Sequence, residues 1–266
     1  MAREFAATLA KAIKTHALAR EEIIFLLRAE GEEAGALFRA ADALRAEYLG
    51  NPVHLRAIIE FSNYCVRNCL YCGLRRDNRR LARYRMTAEE ILAAARRARF
   101  EGYRTIVLQA GEDPAYETAE LARLVYRMKT ELDVAVTLSL GDLKRDAYRE
   151  LRAAGADRYL LKHETSDPLL FARLRPGTTL ADRVKRLHWL RELGYQVGSG
   201  NIVGLPGQTM DTLADDILLL KELDVEMAGI GPFIPHPETP LAACPPGSLE
   251  LTLKVLAVTR LLLPWA

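Results

Sequence analysis

The chain has 266 residues, half of them hydrophobic, which suits one large α/β domain or two small ones. Its 37 basic residues nearly balance 35 acidic ones, giving a net charge of +2, so charge gives no reason to expect a nucleic-acid or bulk-membrane partner. The sequence has no apolar run of 18 residues or more and its N-terminus is charged throughout, so neither a membrane span nor a signal peptide is predicted.

The first fifty residues are predicted to be helical. The helical stretch 16–30 is followed by Gly31 and the stretch 32–49 by Gly50, and glycine is common just after a helix. This pattern predicts an N-terminal helical extension at residues 1–50 and a separate domain at residues 51–266.

From Val53 onward, short apolar runs alternate with amphipathic stretches. We predict strands at 54–61, 105–110, 134–140, 158–164, 196–204 and 227–235, and helices at 87–101, 117–131, 142–154, 179–193, 209–223 and 248–263. Six successive strand–helix units predict parallel strands with right-handed crossovers, as in a doubly wound sheet or a TIM-type barrel or partial barrel. Either fold binds ligands at the carboxyl ends of its strands.

Three of the four cysteines lie in the loop after the first predicted strand, as Cys65, Cys69 and Cys72 in the spacing Cys-x3-Cys-x2-Cys. Such a cluster is not a disulfide framework, and it indicates thiolate ligands in a reducing, intracellular location. A structural zinc usually takes four protein ligands, whereas a [4Fe–4S] cluster held by three cysteines leaves one iron open. We therefore favour the open cluster over a zinc site, a closed electron-transfer cluster or incidental cysteines.

Polar residues follow strands two and three. Gln109, Gly111 and Glu112 lie in the segment QAGED, where glycine allows close backbone approach and the carboxylate can accept from an ammonium group. An ordinary β-to-α turn explains the same residues equally well. Thr137 and Ser139 share one face of strand three and are candidate donors to a cavity, although small-residue packing is an alternative.

Strand four carries Arg158, Lys162 and Glu164 on one face. Three charges on one face of a central strand are costly unless they meet ligands or each other, so they predict either a binding cavity or an internal ion-pair network. The arginine-rich run 74–85 is interpreted mainly as a solvated loop, with a docking patch for an acidic partner as the second interpretation.

The cysteine motif, with Tyr71 directly before its last cysteine, resembles the signature of the radical S-adenosylmethionine (SAM) enzymes. Longer segments are similar to HydE-type maturases of [FeFe]-hydrogenase, among them RAIIEFSNYCVRNCLYCGLRRDN, ADRYLLKHET, GLPGQT and GIGPFIPHPETPLA. The resemblance covers residues 40–264 and favours the TIM-type fold, here with about six βα units.

The resemblance implies a [4Fe–4S] cluster and SAM as cofactors, with reductive cleavage of SAM to a 5′-deoxyadenosyl radical. It further implies a cytoplasmic role in assembling the hydrogenase di-iron subcluster. The radical would act on a small molecule or an iron–cysteine complex handed on by another maturase. Reduced ferredoxin or flavodoxin is the implied electron donor.

The resemblance also implies residue roles. The cluster ligands would be Cys65, Cys69 and Cys72. Contacts to SAM would come from Tyr71, Gln109, Gly111, Glu112, Ser139, Glu164, Arg183 and Ile202. The substrate cavity would be lined by the candidate catalytic residues Thr137, Arg158, Lys162 and Met227. HydE relatives tend to have arginine at the position of Lys162, and lysine is a point charge that lacks the bidentate fork.

Three alternatives stay open at this stage. Methylornithine synthase and biotin synthase are related enzymes, but biotin synthase needs additional cysteines for a second cluster, and Cys244 is the one left over. A non-catalytic iron–sulfur or zinc scaffold would bind no SAM. HydE-like proteins close an eight-unit barrel, and this sequence lacks the last two units, so an inactive truncated fragment is the third alternative.

Overall fold

The computed structural model describes residues 2–266, and its sheets are built from short strands. These are Ala57–Ser62 (β1), Thr105–Ala110 (β2), Ala135–Ser139 (β3), Arg158–Leu160 (β4), Gln196–Ser199 (β5), Ile202–Val203 (β6), Met227–Ala228 (β7) and Gly231–Pro232 (β8). The main sheet has the order β1-β2-β3-β4-β5-β7 with every pair parallel, while β6 pairs with β8. Each strand therefore neighbours the strand of the next unit.

This strand order decides between the two predicted folds. A doubly wound sheet reverses its strand order at a switch point, whereas a barrel adds each strand beside the last. Within residues 2–266 the six-stranded sheet shows no such reversal, and β1 and β7 form its two edges. The predicted TIM-type partial barrel is confirmed.

The helices lie close to their predicted positions. They are Ala2–Thr15 (α1), Arg20–Leu27 (α2), Gly31–Leu49 (α3), Ala88–Phe100 (α4), Thr118–Leu132 (α5), Arg145–Ala153 (α6), Pro168–Leu174 (α7), Leu180–Glu192 (α8), Met210–Glu222 (α9) and Leu249–Leu262 (α10). Thr87 and Glu90 form a capping box on α4, with Thr87 Oγ1 accepting from Glu90 N and Glu90 Oε2 accepting from Thr87 N. Among residues 2–266, no helix combines the length and apolarity needed to cross a membrane.

Three strand predictions are corrected by the structure. The predicted strand 196–204 is broken into β5 and β6, and the predicted strand 227–235 into β7 and β8. The break brings two glycines together, since a Cβ on Gly200 would lie 2.0 Å from the carbonyl oxygen of Gly229. The predicted strand 158–164 ends at Leu160, and the chain beyond it turns into the left-handed region at Glu164, with a φ of 66°.

Two helix predictions are also corrected. The predicted helix 16–30 ends at Leu27, and Gly31 begins α3 rather than closing the preceding helix. The short helix α7 was not predicted. Its sequence signal is Asp167, which accepts from the backbone N–H groups of Leu169 and Leu170, followed by Pro168 at the first helical position.

The two faces of the main sheet differ in chemistry. Residues such as Ile59, Leu108, Val136 and Val197 are buried against the surrounding helices. Strand alternation places the opposite set on the concave face, which carries polar side chains and, on edge strand β1, Ile58 with 60% of its surface exposed. The helices α1–α3 pack on α9 and α10 around a second buried cluster that includes Ile23, Leu37 and Val258.

Candidate active site

The cysteine loop, residues 63–78, follows β1 and is tied to two neighbouring segments. Val66 N donates to Glu112 O after β2 (3.0 Å), and Leu70 N donates to Leu174 O at the end of α7 (2.9 Å). Within the loop, Arg76 N donates to Arg67 O (2.8 Å). These backbone bonds hold the loop against the carboxyl ends of the strands.

Arg83 binds the backbone of the cysteine loop. Its guanidinium donates to the carbonyl oxygens of Asn63, Leu74, Arg75 and Asn78. The interpretation of the whole run 74–85 as a solvated loop is therefore wrong at this position, because one fork-shaped side chain satisfies four turn carbonyls at once.

Other arginines of the run divide into two groups. Arg85 forms a bidentate pair with Asp113 (2.7 and 3.0 Å) and lies 3.6 Å from the ring centroid of Tyr64. Arg76, Arg79 and Arg80 are exposed, as the prediction expected.

Two glycines allow the loop to sit where it does. A Cβ on Gly111 would lie 2.2 Å from Tyr64 O and 2.7 Å from Cys65 Cβ. Gly141, with a φ of 75°, lies so close to Glu112 that a Cβ there would be 2.3 Å from Glu112 Cγ. The Gly-Glu segment thus supports the cysteine loop by close backbone approach, which a plain turn would not require.

The cysteines of the described chain are free thiols. Burial raises the pKa of the Cys69 thiol to about 11 and also raises the pKa of Cys72, while the nearby charge of Arg175 lowers both. Buried neutral thiols of this kind become thiolates when a metal supplies the compensating positive charge.

The donor set fits a multi-iron cluster better than one metal ion. Among residues 2–266, no three His, Cys, Asp or Glu side chains are close enough together to hold a single metal. Cys65, Cys69 and Cys72 nevertheless influence one another electrostatically. A cubane binds each thiolate at a different corner, so its ligands stay apart from one another.

A cavity of about 180 Å³ opens beside the cysteine loop at the carboxyl ends of β2, β3 and β4. Its lining brings together five of the predicted residues, namely Gln109, Ser139, Lys162, Glu164 and Arg183, with Arg175 added. Glu164 is near enough to act on the Cys69 and Cys72 thiols. A left-handed non-glycine residue is strained, and strain of this kind is concentrated at functional sites.

Several charged atoms of this cavity are buried without a hydrogen-bond partner within residues 2–266. They are Glu164 Oε2, Arg175 Nε and Arg183 Nε, with Lys162 Nζ 3.9 Å from Glu164 Oε2. Buried charged groups of both signs that keep atoms without a hydrogen-bond partner indicate a ligand that carries both signs. The amino and carboxylate groups of SAM meet that requirement.

The comparisons with known proteins agree with this arrangement. The model of the radical SAM superfamily matches residues 59–257, which include the cysteine loop and all strands of the main sheet except the first two residues of β1. The chain belongs to the radical SAM superfamily. Members of this superfamily hold a [4Fe–4S] cluster and SAM.

Three similar radical SAM proteins illustrate what this chain resembles. The [FeFe] hydrogenase maturase subunit HydE of Thermotoga maritima is 58% identical over 229 residues, or 86% of this chain and 66% of that protein. A 3-methylornithine synthase of Methanosarcina acetivorans is 31% identical over 96% of this chain and 73% of its own length. The crystal structure of methylornithine synthase (PylB) matches with a TM-score of 0.90 at 30% identity, over 97% of this chain and 77% of that one.

The cavity lined by Lys162 and Glu164, called the radical SAM cavity from here on, is flanked by ion pairs that include three arginines. Glu112 pairs with Arg67 (2.5 Å) and with Arg175 (3.3 Å). Asp142, 4% exposed, lies 3.2 Å from Arg183 and 3.7 Å from Arg175. Glu112, predicted to contact SAM, is thus already engaged by two guanidinium groups.

The remaining predicted residues occupy three other places. Tyr71 and Ile202 pack in a small apolar cluster around Leu174 and Phe233. Thr137 and Arg158 are paired neighbours deeper on the concave face, and the buried Thr137 Oγ1 and Arg158 Nη1 are unpartnered within the described chain. Met227 lines a separate cavity of about 230 Å³ beside edge strand β7. Among the candidate catalytic residues, Lys162 lines the radical SAM cavity.

Sequence reasoning missed three residues of this site: Arg67, Asp142 and Arg175. Arg67 lies inside the motif itself, and Asp142 follows a strand end, where a carboxylate is a recognisable signal. Arg175 ends a helix that was not predicted, so its sequence position gave no indication of its place.

Proposed function

We propose that this protein is a radical SAM enzyme of the HydE type that takes part in [FeFe]-hydrogenase maturation. The observation that carries the proposal is the cysteine loop held beside a cavity where charged groups of both signs keep buried atoms without a hydrogen-bond partner among the described residues. The 58% identity to HydE favours the maturase over the related enzymes.

The cofactors would be held by residues that the fold already brings together. Cys65, Cys69 and Cys72 would hold the [4Fe–4S] cluster. When bound to a cluster with one open iron, SAM supplies a 5′-deoxyadenosyl radical after one-electron cleavage of its sulfonium C–S bond. Glu164 would accept from the SAM amino group, and Arg183 would donate to its carboxylate.

The other side chains of the site would orient SAM and shield it from water. Gln109 donates to Glu60 Oε1 (3.1 Å) across β1 and β2, which aims its amide along the cavity wall. Ser139 offers a hydroxyl at the same level. We expect Tyr71 and Ile202 to exclude water from the side of the cysteine loop, because both pack in the apolar cluster there.

The substrate would bind on the concave face beyond SAM. Thr137 and Arg158 offer a buried donor atom each, and Lys162 carries a positive charge at the cavity. These groups suit an anionic small molecule or an iron–cysteine complex. The proposed substrate source is another hydrogenase maturase.

The electron donor would be a reduced ferredoxin or flavodoxin. Arg76, Arg79 and Arg80 are exposed on the cysteine loop and just after it, so an acidic donor could dock close to the cluster. A cytoplasmic location is part of the proposal, because free thiols and cluster assembly both require a reducing compartment.

The test is anaerobic reconstitution with iron and sulfide, followed by SAM and dithionite. We expect a [4Fe–4S] spectrum and formation of 5′-deoxyadenosine. Cys69→Ala should lose both signals, whereas the matched control Cys244→Ala, outside the cysteine loop, should keep both. A protein that plainly holds the cluster but never forms 5′-deoxyadenosine contradicts the proposal.

Product analysis separates the proposed maturase from its relatives. Formation of 3-methylornithine or biotin by the reconstituted protein would replace the HydE assignment with that of the corresponding synthase. The chain spans 66% of the length of the HydE subunit, so the same assay also tests whether residues 1–266 are sufficient for SAM cleavage. Cluster binding without cleavage would favour the scaffold or inactive-fragment alternative.

A further inference from the structure

Arg175 is a buried cation in contact with the cysteine loop. It caps the C-terminal end of α7 and is 8% exposed. The residue before it, Leu174, accepts the backbone hydrogen bond of Leu70, which lies between Cys69 and Cys72. The backbone from which Arg175 projects is therefore held against the loop.

The guanidinium connects the loop to the cavity. Its Nη1 donates to Tyr71 Oη at 3.3 Å, and its Nη2 donates to Glu112 Oε1 at 3.3 Å. Arg175 lines the cavity that holds Glu164, and its Nε has no hydrogen-bond partner within residues 2–266.

The charges around Arg175 do not cancel. Four arginines, Arg67, Arg175, Arg183 and Arg186, share two carboxylates, Glu112 and Asp142, which leaves two positive charges in excess. Lys162 and Glu164 face each other at 3.9 Å and balance separately. An excess positive charge in a water-poor region is costly unless an anionic group lies beside it. A cluster held by the three cysteine thiolates would be that anionic group.

We propose that Arg175 is a positioning residue that holds Tyr71 in the cysteine loop and raises the reduction potential of the cluster bound by Cys65, Cys69 and Cys72. This inference rests on the proposed function. A nearby fixed cation stabilises the reduced cluster, which is the more negative state, and net charge and hydrogen bonding are main determinants of cluster potential. Arg175 thereby makes the cluster easier to reduce.

The experiment is a potentiometric titration of the reconstituted full chain, without SAM, followed by the spectrum of the reduced cluster. Arg175→Gln should shift the midpoint potential to a more negative value with the iron content unchanged. Arg175→Lys keeps the charge and should return the potential towards that of the wild type. The matched control is Arg186→Gln, because Arg186 lies 3.7 Å from Asp142 but its guanidinium donates to Leu143 O and Asp182 O instead of to Tyr71 of the cysteine loop.

The outcomes separate this inference from the proposed function. An Arg175→Gln protein with a full cluster and the wild-type potential overturns the inference while the function stands. If Arg175→Gln does not retain its cluster, Glu112→Gln provides the second measurement, since it removes a compensating anion and should shift the potential to a more positive value. No shift, or a negative one, also overturns the inference. A wild-type protein that binds no cluster contradicts the proposed function itself.

Discussion

Replacing Gly111 by alanine tests how tightly the strand end and the cysteine loop are fitted. The added Cβ would lie 2.2 Å from Tyr64 O and 2.7 Å from Cys65 Cβ. Ordinary van der Waals contact begins at 3.4 Å, so one of the two backbones must move by roughly 3.4 − 2.2 = 1.2 Å. Neither neighbour is the free end of a flexible side chain, so the strain cannot be relieved by a rotamer change.

The expected loss of stability follows from overpacking. Forced overpacking of a well-packed site costs about 1–3 kcal/mol, which lowers Tm by about 2–4 °C per kcal/mol in a protein of this size class. Because the clash lies against Cys65, the variant should also bind less iron on reconstitution. Thermal unfolding of the metal-free protein and iron content per chain measure the two effects.

The matched control is Gly231→Ala. An added Cβ at Gly231 has no atom within 4 Å and the residue does not have a positive φ, so Tm and iron content should match the wild type. If Gly111→Ala behaves like Gly231→Ala in both measurements, the close contact between the strand end and the cysteine loop is refuted.

Two further predictions concern the arginines around the loop. Arg83→Ala removes a donor to four loop carbonyls, so it should lower the free energy of unfolding by about 2–4 kcal/mol in urea titrations and reduce iron binding. The control Arg80→Ala removes a side chain that is 82% exposed and should change neither quantity. Equal behaviour of the two variants would contradict the anchoring role of Arg83. Burial opposes the charge of Asp113, but the hydrogen bonds from Arg85 and Ser62 hold its pKa below the usual 3.8. The ionised carboxylate therefore stabilises the fold above pH 3.8, and this contribution is lost as the pH falls through the lowered pKa. Asp113→Asn should lose less stability than the wild type between about pH 5 and pH 2, and parallel curves of stability against pH would refute this.

The structure also bears on electron delivery. Arg76, Arg79 and Arg80 are exposed, whereas Arg83 is bonded to carbonyl oxygens of the cysteine loop and Arg85 to Asp113. One run of the chain therefore serves two purposes. Arg83 and Arg85 anchor the chain, and the exposed arginines are where the proposed acidic electron donor would dock.

The sequence by itself determined the local features of this protein. The alternation of apolar runs and amphipathic stretches predicted the βα units, because backbone periodicity is a local property. The spacing of Cys65, Cys69 and Cys72 predicted the cluster loop for the same reason, since the three residues lie within eight positions of one another. The capping box at Thr87 likewise involves residues three positions apart.

Only the tertiary structure decided how distant segments meet. Whether the chain forms a barrel or a doubly wound sheet depends on which strands pair, and no local sequence pattern determines the pairing. The separation of Thr137 and Arg158 from the cavity of Lys162 and Glu164 depends on strand register and on the left-handed turn at Glu164.

Arg175 shows the limit most clearly. It lies 103 positions from Cys72, at the end of a short helix, and its importance comes from three contacts made across the fold. Charges act through space over a few ångströms, whatever the separation along the chain. A residue of this kind is recognised when the fold has brought its partners to it.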